Sequence, residues 1–109
     1  MATISNVVID QGTTFSLELN LTNDDASAKD LTNYTVTSQM RKSYEATTST
    51  AFTTAKVNST GKITISLTAV ETAAVKAGRY VYDIEIASSS ETLRVLEGIV
   101  TVTPNVTRA

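Results

Sequence analysis

From Phe15 to Leu21 apolar and polar residues alternate without a break, with Phe15, Leu17, Leu19 and Leu21 on one parity and Ser16, Glu18 and Asn20 on the other. Successive side chains of a strand point to opposite faces, so a period of two describes a half-buried strand. The same alternation returns three times. Tyr34, Val36, Ser38 and Met40 oppose Thr35, Thr37, Gln39 and Arg41; Ile63, Ile65 and Leu67 oppose Thr64 and Ser66; Tyr80, Tyr82, Ile84 and Ile86 oppose Val81, Asp83, Glu85 and Ala87. Strands that are apolar on one face only must cover that face with a second layer.

The segments between these runs carry turn and cap signals. Ile4 to Ile9 makes a first strand, and Asn23-Asp24-Asp25-Ala26-Ser27 is rich in side chains that bond their own backbone in turns. Ser43 to Ala51 lacks periodicity and is expected to be an exposed loop or ragged edge. Phe52 to Val57, the turn Asn58-Ser59-Thr60-Gly61 and the Ile63 strand form a predicted hairpin. Thr68-x-x-Glu71 matches a capping box, and the Ala and Val positions up to Lys76 predict a two-turn helix, with Gly78 placed as its left-handed C-terminal cap. In the last strand the parity of Leu93, Val95, Leu96 and Ile99 slips. Gly98 is read as a bulge that turns Val100 and Val102 inward until Pro104 ends the pairing.

About seven short strands and one short helix before the penultimate strand predict an all-β chain, an antiparallel immunoglobulin-like β-sandwich, with a small closed barrel as the alternative. Tyr80 stands where a tyrosine can return its hydroxyl to the backbone of the preceding corner. Two residues on, where immunoglobulin domains carry a cysteine, this chain has Tyr82, which points away from a disulfide-bonded receptor domain and toward an intracellular or viral one. With 109 residues the expectation is one domain, 1–109, ending in a short extended tail, 104–109.

Composition narrows the chemistry. His, Cys and Trp are absent, which removes imidazole and thiolate metal ligation, thiol nucleophiles and any Ser-His-Asp triad. Nine basic against eleven acidic residues supply no positive field for nucleic acid or an anionic bilayer, so neither is an expected partner. The first residues lack the basic region and apolar run of a secretion signal. The chain reads as a soluble protein of a reducing compartment, or of a particle assembled there. Ser and Thr together number 31, and their alternation with apolar residues separates this chain from Pro-rich mucin-like stalks.

Few residues suggest a site. Asp24, Asp25 and Asp30 offer carboxylates for a hard cation, but without the ligand spacing and glycine of a calcium loop they read as a solvated turn, and no metal or cofactor is expected. Asp83 and Glu85 share one strand face, and Arg94 on the next strand is placed to pair across to them; with no cleft-forming insertion, a glycosidase pair is not the expected use. Arg41, Lys42 and Tyr44 group two basic residues and an aromatic at the end of a strand, residue types enriched among interface anchors. In the tail, Val106 and Arg108 are read as partner contacts that become ordered in an assembly.

The segments Val8-Ile9-Asp10-Gln11-Gly12-Thr13-Thr14-Phe15, Asp30-Leu31-Thr32-Asn33-Tyr34-Thr35, Ser38-Gln39-Met40-Arg41-Lys42-Ser43-Tyr44, Gly78-Arg79-Tyr80-Val81-Tyr82-Asp83 and Arg94-Val95-Leu96-Glu97-Gly98 resemble the small sandwich proteins of tailed bacteriophages, those of marine cyanophages among them. The Asp-Leu-Thr-x-Tyr-Thr and Gln-x-Arg-Lys patterns are also similar to the N-terminal module of upper baseplate proteins. That resemblance implies a non-enzymatic virion structural protein, made in the host cytoplasm and present in many copies, that self-associates and binds other phage proteins of the capsid, neck, tail or baseplate. Baseplate relatives continue into a trimerising domain that does not follow here, which shifts the expectation toward capsid decoration or a neck or tail accessory role. The alternative is a glycan-binding or adhesive module on the virion surface, with Tyr44 as its exposed aromatic.

Overall fold

The computed structural model describes residues 3–22 and 27–106. Among these, strands and one helix follow in the order β1 (Thr3–Ile4), β2 (Val7–Asp10), β3 (Phe15–Asn20), β4 (Thr35–Arg41), β5 (Thr50–Ala51), β6 (Thr53–Val57), β7 (Lys62–Leu67), α1 (Ala69–Ala73), β8 (Gly78–Ala87) and β9 (Thr92–Thr103). They form two sheets, a smaller one ordered β3-β7-β6 and a larger one ordered β9-β8-β4-β5, with β1 and β2 both lying along the outer edge of β9. Two packed layers in this order are an all-β, immunoglobulin-like sandwich. The strand count exceeds seven because Ser5 and Asn6 break the first strand in two and β5 is a two-residue fragment of the ragged edge. None of its helices is long and apolar enough to cross a membrane, among the described residues.

The fully antiparallel expectation needs one correction: β1 and β2 run parallel to β9, with Ile4 beside Glu97 and Val8 beside Thr101. A parallel neighbour ordinarily requires a long crossover, and here the rest of the domain is that crossover. Every other paired strand is antiparallel.

The alternation delivers the core as written. Ile63, Ile65 and Leu67 of β7 pack with Tyr82, Ile84 and Ile86 of β8, and Met40, Leu96, Val100 and Val102 complete the interior. Each such side chain contributes roughly 1.5 to 3 kcal/mol by leaving water. Phe52 sits where the chain passes from the larger to the smaller sheet, its ring 5.9 Å from that of Phe15 and 6.2 Å from that of Tyr82 in an edge-on contact. Lys56, on the inward parity of the edge strand β6, donates from Nζ to the carbonyls of Leu31 (2.8 Å) and Tyr34 (2.7 Å), closing that side of the sandwich.

The corner before β8 shows the predicted capping box: Thr68 Oγ1 accepts from Glu71 N, and Glu71 Oε1 accepts from Thr68 N. The helix stops at Ala73 rather than running to Lys76. Its buried Thr72 donates to Thr13 O (2.7 Å) and accepts from Gly12 N (3.0 Å), tying the corner to the β2–β3 link, and Val75 turns into the core behind it. Gly78 is not the helix cap, a role taken by Ala74 in ordinary right-handed geometry; it opens β8 with φ 146°, a conformation that favours glycine. The tyrosine corner is present, with the Tyr80 hydroxyl donating to Lys76 O at 2.6 Å.

Gly98 also plays a different part from the one expected. The register slip lies at Val95, since Ile84 pairs with Leu96 while Glu85 pairs with Arg94. Gly98 instead lets the N-terminal segment cross: a Cβ there would stand 1.9 Å from the carbonyl oxygen of Ser5. The crossing is pinned from three sides, by Ser5 N to Glu97 O (2.8 Å), Ile99 N to Asn6 Oδ1 (3.0 Å) and the Tyr82 hydroxyl to Ser5 O (2.7 Å). Burial raises the Tyr82 pKa, which keeps the phenol a donor.

Candidate binding face

Pairing registers place the outward residues of the larger sheet in rows. Arg79 stands beside Thr101, Arg41 beside Val81 and Ile99, Gln39 beside Asp83 and Glu97, and Thr37 beside Glu85 and Arg94. Val81, Asp83 and Glu85, outward on β8, are themselves half-buried, because neighbours on β4 and β9 and the loop after β4 rise around them, whereas Arg79 is exposed. Together they form an open groove of about 340 Å³ whose lining includes Gln39, Arg41, Tyr44, Asp83, Arg94 and Glu97.

Two contacts shape it. Arg41 donates to Ala46 O (2.7 Å) and to Gln39 Oε1 (3.1 Å), so its guanidinium holds the loop that carries Tyr44 and enters no salt bridge among the described residues. The Tyr44 side chain stays 75% exposed at the rim. Arg94 Nε lies 3.2 Å from Asp83 Oδ2, the cross-strand pair anticipated from sequence, and both partners are exposed enough that it contributes only about 0.2 to 1 kcal/mol.

Of the residues singled out as partner contacts, Arg41 and Tyr44 meet in the groove and Lys42 does not. Lys42 points the other way, with Nζ 4.9 Å from the centre of the Tyr80 ring. Val106 is 96% exposed beyond β9 and is not part of the groove lining; Arg108 lies outside the described residues. Gln39 and Glu97 were not marked by sequence reasoning. Their only signal is an outward position on strands whose mutual register is fixed by long-range pairing.

Of the three carboxylates of the acidic turn, the structure describes Asp30. Asp30 accepts from both the hydroxyl and the backbone N–H of Thr32, which lower its carboxyl pKa, in that order of importance, and Asp24 and Asp25 lie outside the described residues. No group of three or more His, Cys, Asp or Glu side chains that could hold a metal ion occurs among the described residues.

Fold and face together define an immunoglobulin-like sandwich domain whose larger sheet presents a polar groove. No family model and no curated protein matches the sequence. Among solved structures, InlP of Listeria monocytogenes is similar over 94% of this chain and 28% of its own, at 15% identity and a TM-score of 0.53. The N-terminal four Ig domains of Dscam1 isoform 7.44 align over 94% of this chain and 23% of theirs, at 17% identity and a TM-score of 0.47. The chain therefore spans about a quarter of the length of these structures. At such identities the likeness concerns the fold alone.

Proposed function

We propose that this chain is a non-enzymatic structural protein of a bacteriophage virion, a multi-copy decoration, neck, tail or baseplate component that binds other virion proteins through the outer face of its larger sheet. The observation that carries the binding role is the Arg41–Tyr44 arrangement: an arginine bonded to the backbone of its own loop positions an exposed tyrosine at the rim of a groove edged by hydrogen-bonding groups. Arginine and tyrosine concentrate binding energy at protein interfaces. The phage assignment rests on the sequence resemblance, and the absence of His and Cys fits a role without catalysis.

The test is incorporation. Particles of the encoding phage, purified through a density gradient, are expected to retain the protein, and Tyr44→Ala with Arg41→Ala to lower its copy number at least about tenfold, the loss of one interface hot spot. A wild-type chain left wholly in the lysate overturns the reading.

One observation favours a second reading, glycan binding. At its rim the groove has the exposed Tyr44 ring, and its lining includes Gln39, Asp83 and Arg94, groups able to bond sugar hydroxyls. Binding of the purified domain to a glycan array, lost on Tyr44→Ala, would reverse the order of the two.

A further inference from the structure

The smaller sheet leaves one edge open. Leu21 N donates to Gly61 O at 2.9 Å, in step with the β3–β7 register. Backbone groups of an antiparallel strand alternate sides, so Phe15, Leu17 and Leu19 also turn their N–H and C=O to β7, while those of Ser16, Glu18 and Asn20 turn away from it. Among the described residues no hydrogen bond from elsewhere reaches these outward groups. Beneath them Phe15, Leu17 and Leu19 stay half-buried, whereas Ile63, Ile65 and Leu67 beside them on β7 are buried. The other edges each carry a feature that discourages a further strand. β6 turns the charged Lys56 inward, β5 is two residues long, and Ser5 and Asn6 interrupt the line of β1 and β2. β3 runs for six residues without proline, glycine, bulge or inward charge.

We propose that β3 pairs antiparallel with β3 of a second copy, about a two-fold axis that passes between their Leu17 residues at right angles to the sheet. The edge itself specifies the occupant. A row of backbone N–H and C=O groups is satisfied by another extended strand. A two-fold axis placed on one residue sets even-numbered residues opposite even-numbered ones, so the unpaired groups of the two copies meet. With Leu17 on the axis, Ser16 and Glu18 of opposite copies exchange backbone hydrogen bonds twice, and Phe15 stands opposite Leu19. The apolar row of each copy continues that of the other, and Glu18, already held by Lys62 at 2.7 Å, faces a serine. Moving the axis to Glu18 would set two carboxylates directly opposite, which is unfavourable. The isologous contact joins the two smaller sheets into one and leaves the groove of the larger sheet free.

Sedimentation equilibrium and amide exchange of the purified chain test it. The wild type is expected to dimerise, with exchange at the Ser16 and Glu18 amides slowing as the dimer forms while that of β7 stays unchanged. Ser16→Pro removes an outward N–H and no bond to β7, and is expected to weaken the dimer at least about tenfold, the loss of one backbone hydrogen bond from each copy. The chain has no cysteine, so Leu17→Cys can form a disulfide only between copies. The Cα atoms facing each other at the axis lie about 4.5 Å apart, within the span of a disulfide, so mild oxidation is expected to link Leu17→Cys, but not Glu18→Cys, into a covalent dimer. A wild type monomeric at millimolar concentration, a dimer whose Ser16 and Glu18 amides exchange as freely as the monomer's, or cross-linking at position 18 in preference to 17 overturns the proposal. A monomer that still enters particles through Arg41 and Tyr44 would refute this pairing and leave the binding role of the larger sheet standing.

Discussion

The two sheets draw on the same hydroxyl and β-branched residues yet differ in how much outward charge they carry. On the smaller sheet Glu18 and Lys62 sit on adjacent strands and neutralise each other at 2.7 Å, and the rest of the outer face is Ser, Thr, Asn, Ala and Val. On the larger sheet Asp10, Arg41, Arg79, Asp83, Glu85, Arg94 and Glu97 all lie on the outward parity, and among the described residues Asp83 with Arg94 is their one ion pair. Locally paired charges need no outside partner. Charges without such a pair stay facing solvent. The smaller sheet is therefore a nearly neutral cover for the core, and the outward charges gather on the larger one.

Three substitutions test that division, in descending order of effect. Ile65, fully buried in the central strand of the smaller sheet, holds the two layers together; Ile65→Ala is expected to cost about 3 kcal/mol, read as a lowered denaturation midpoint with both sheets lost in one transition. Separate melting of the two sheets would show that they are more independent than a shared core allows. Gly98→Ala strikes only the edge of the larger sheet, where the new methyl group meets the Ser5 carbonyl; a loss of about 1 to 3 kcal/mol should come with faster amide exchange at Val7 to Asp10 while β7 stays protected. Tyr80→Phe removes one hydrogen bond at the corner and should cost about 1 kcal/mol in thermal unfolding. An unchanged melting curve would mean that water serves Lys76 O equally well.

What could be read from the sequence was local. Each alternating run specified its own inward face, so Ile63, Ile65, Tyr82, Ile84 and Ile86 were placed in the core correctly, and the Thr68–Glu71 box and the Tyr80 corner each depend on a few neighbouring residues. The errors have the opposite character. Gly98 looks like a bulge from within its own strand, and only the passage of Ser5, more than ninety residues earlier, explains it. The helix was predicted too long because Ala73 and Ala74 favour continuation, whereas Thr72 bonds the remote Thr13 and Val75 is drawn into the core. The groove was half legible: Arg41 and Tyr44 are close in sequence, but Asp83, Arg94 and Glu97 join them through strand registers that no single segment encodes.

The parallel pairing of β2 with β9 bears on mechanics as well. A pull that separates the two ends of the domain draws these strands past each other lengthwise, so the four register pairs from Val7–Val100 to Asp10–Thr103 are loaded together in shear. Strands joined at a hairpin and pulled at their open end would instead unzip one rung at a time. A domain built this way yields abruptly, at a force set by collective rupture, which suits a component anchored where tension is applied.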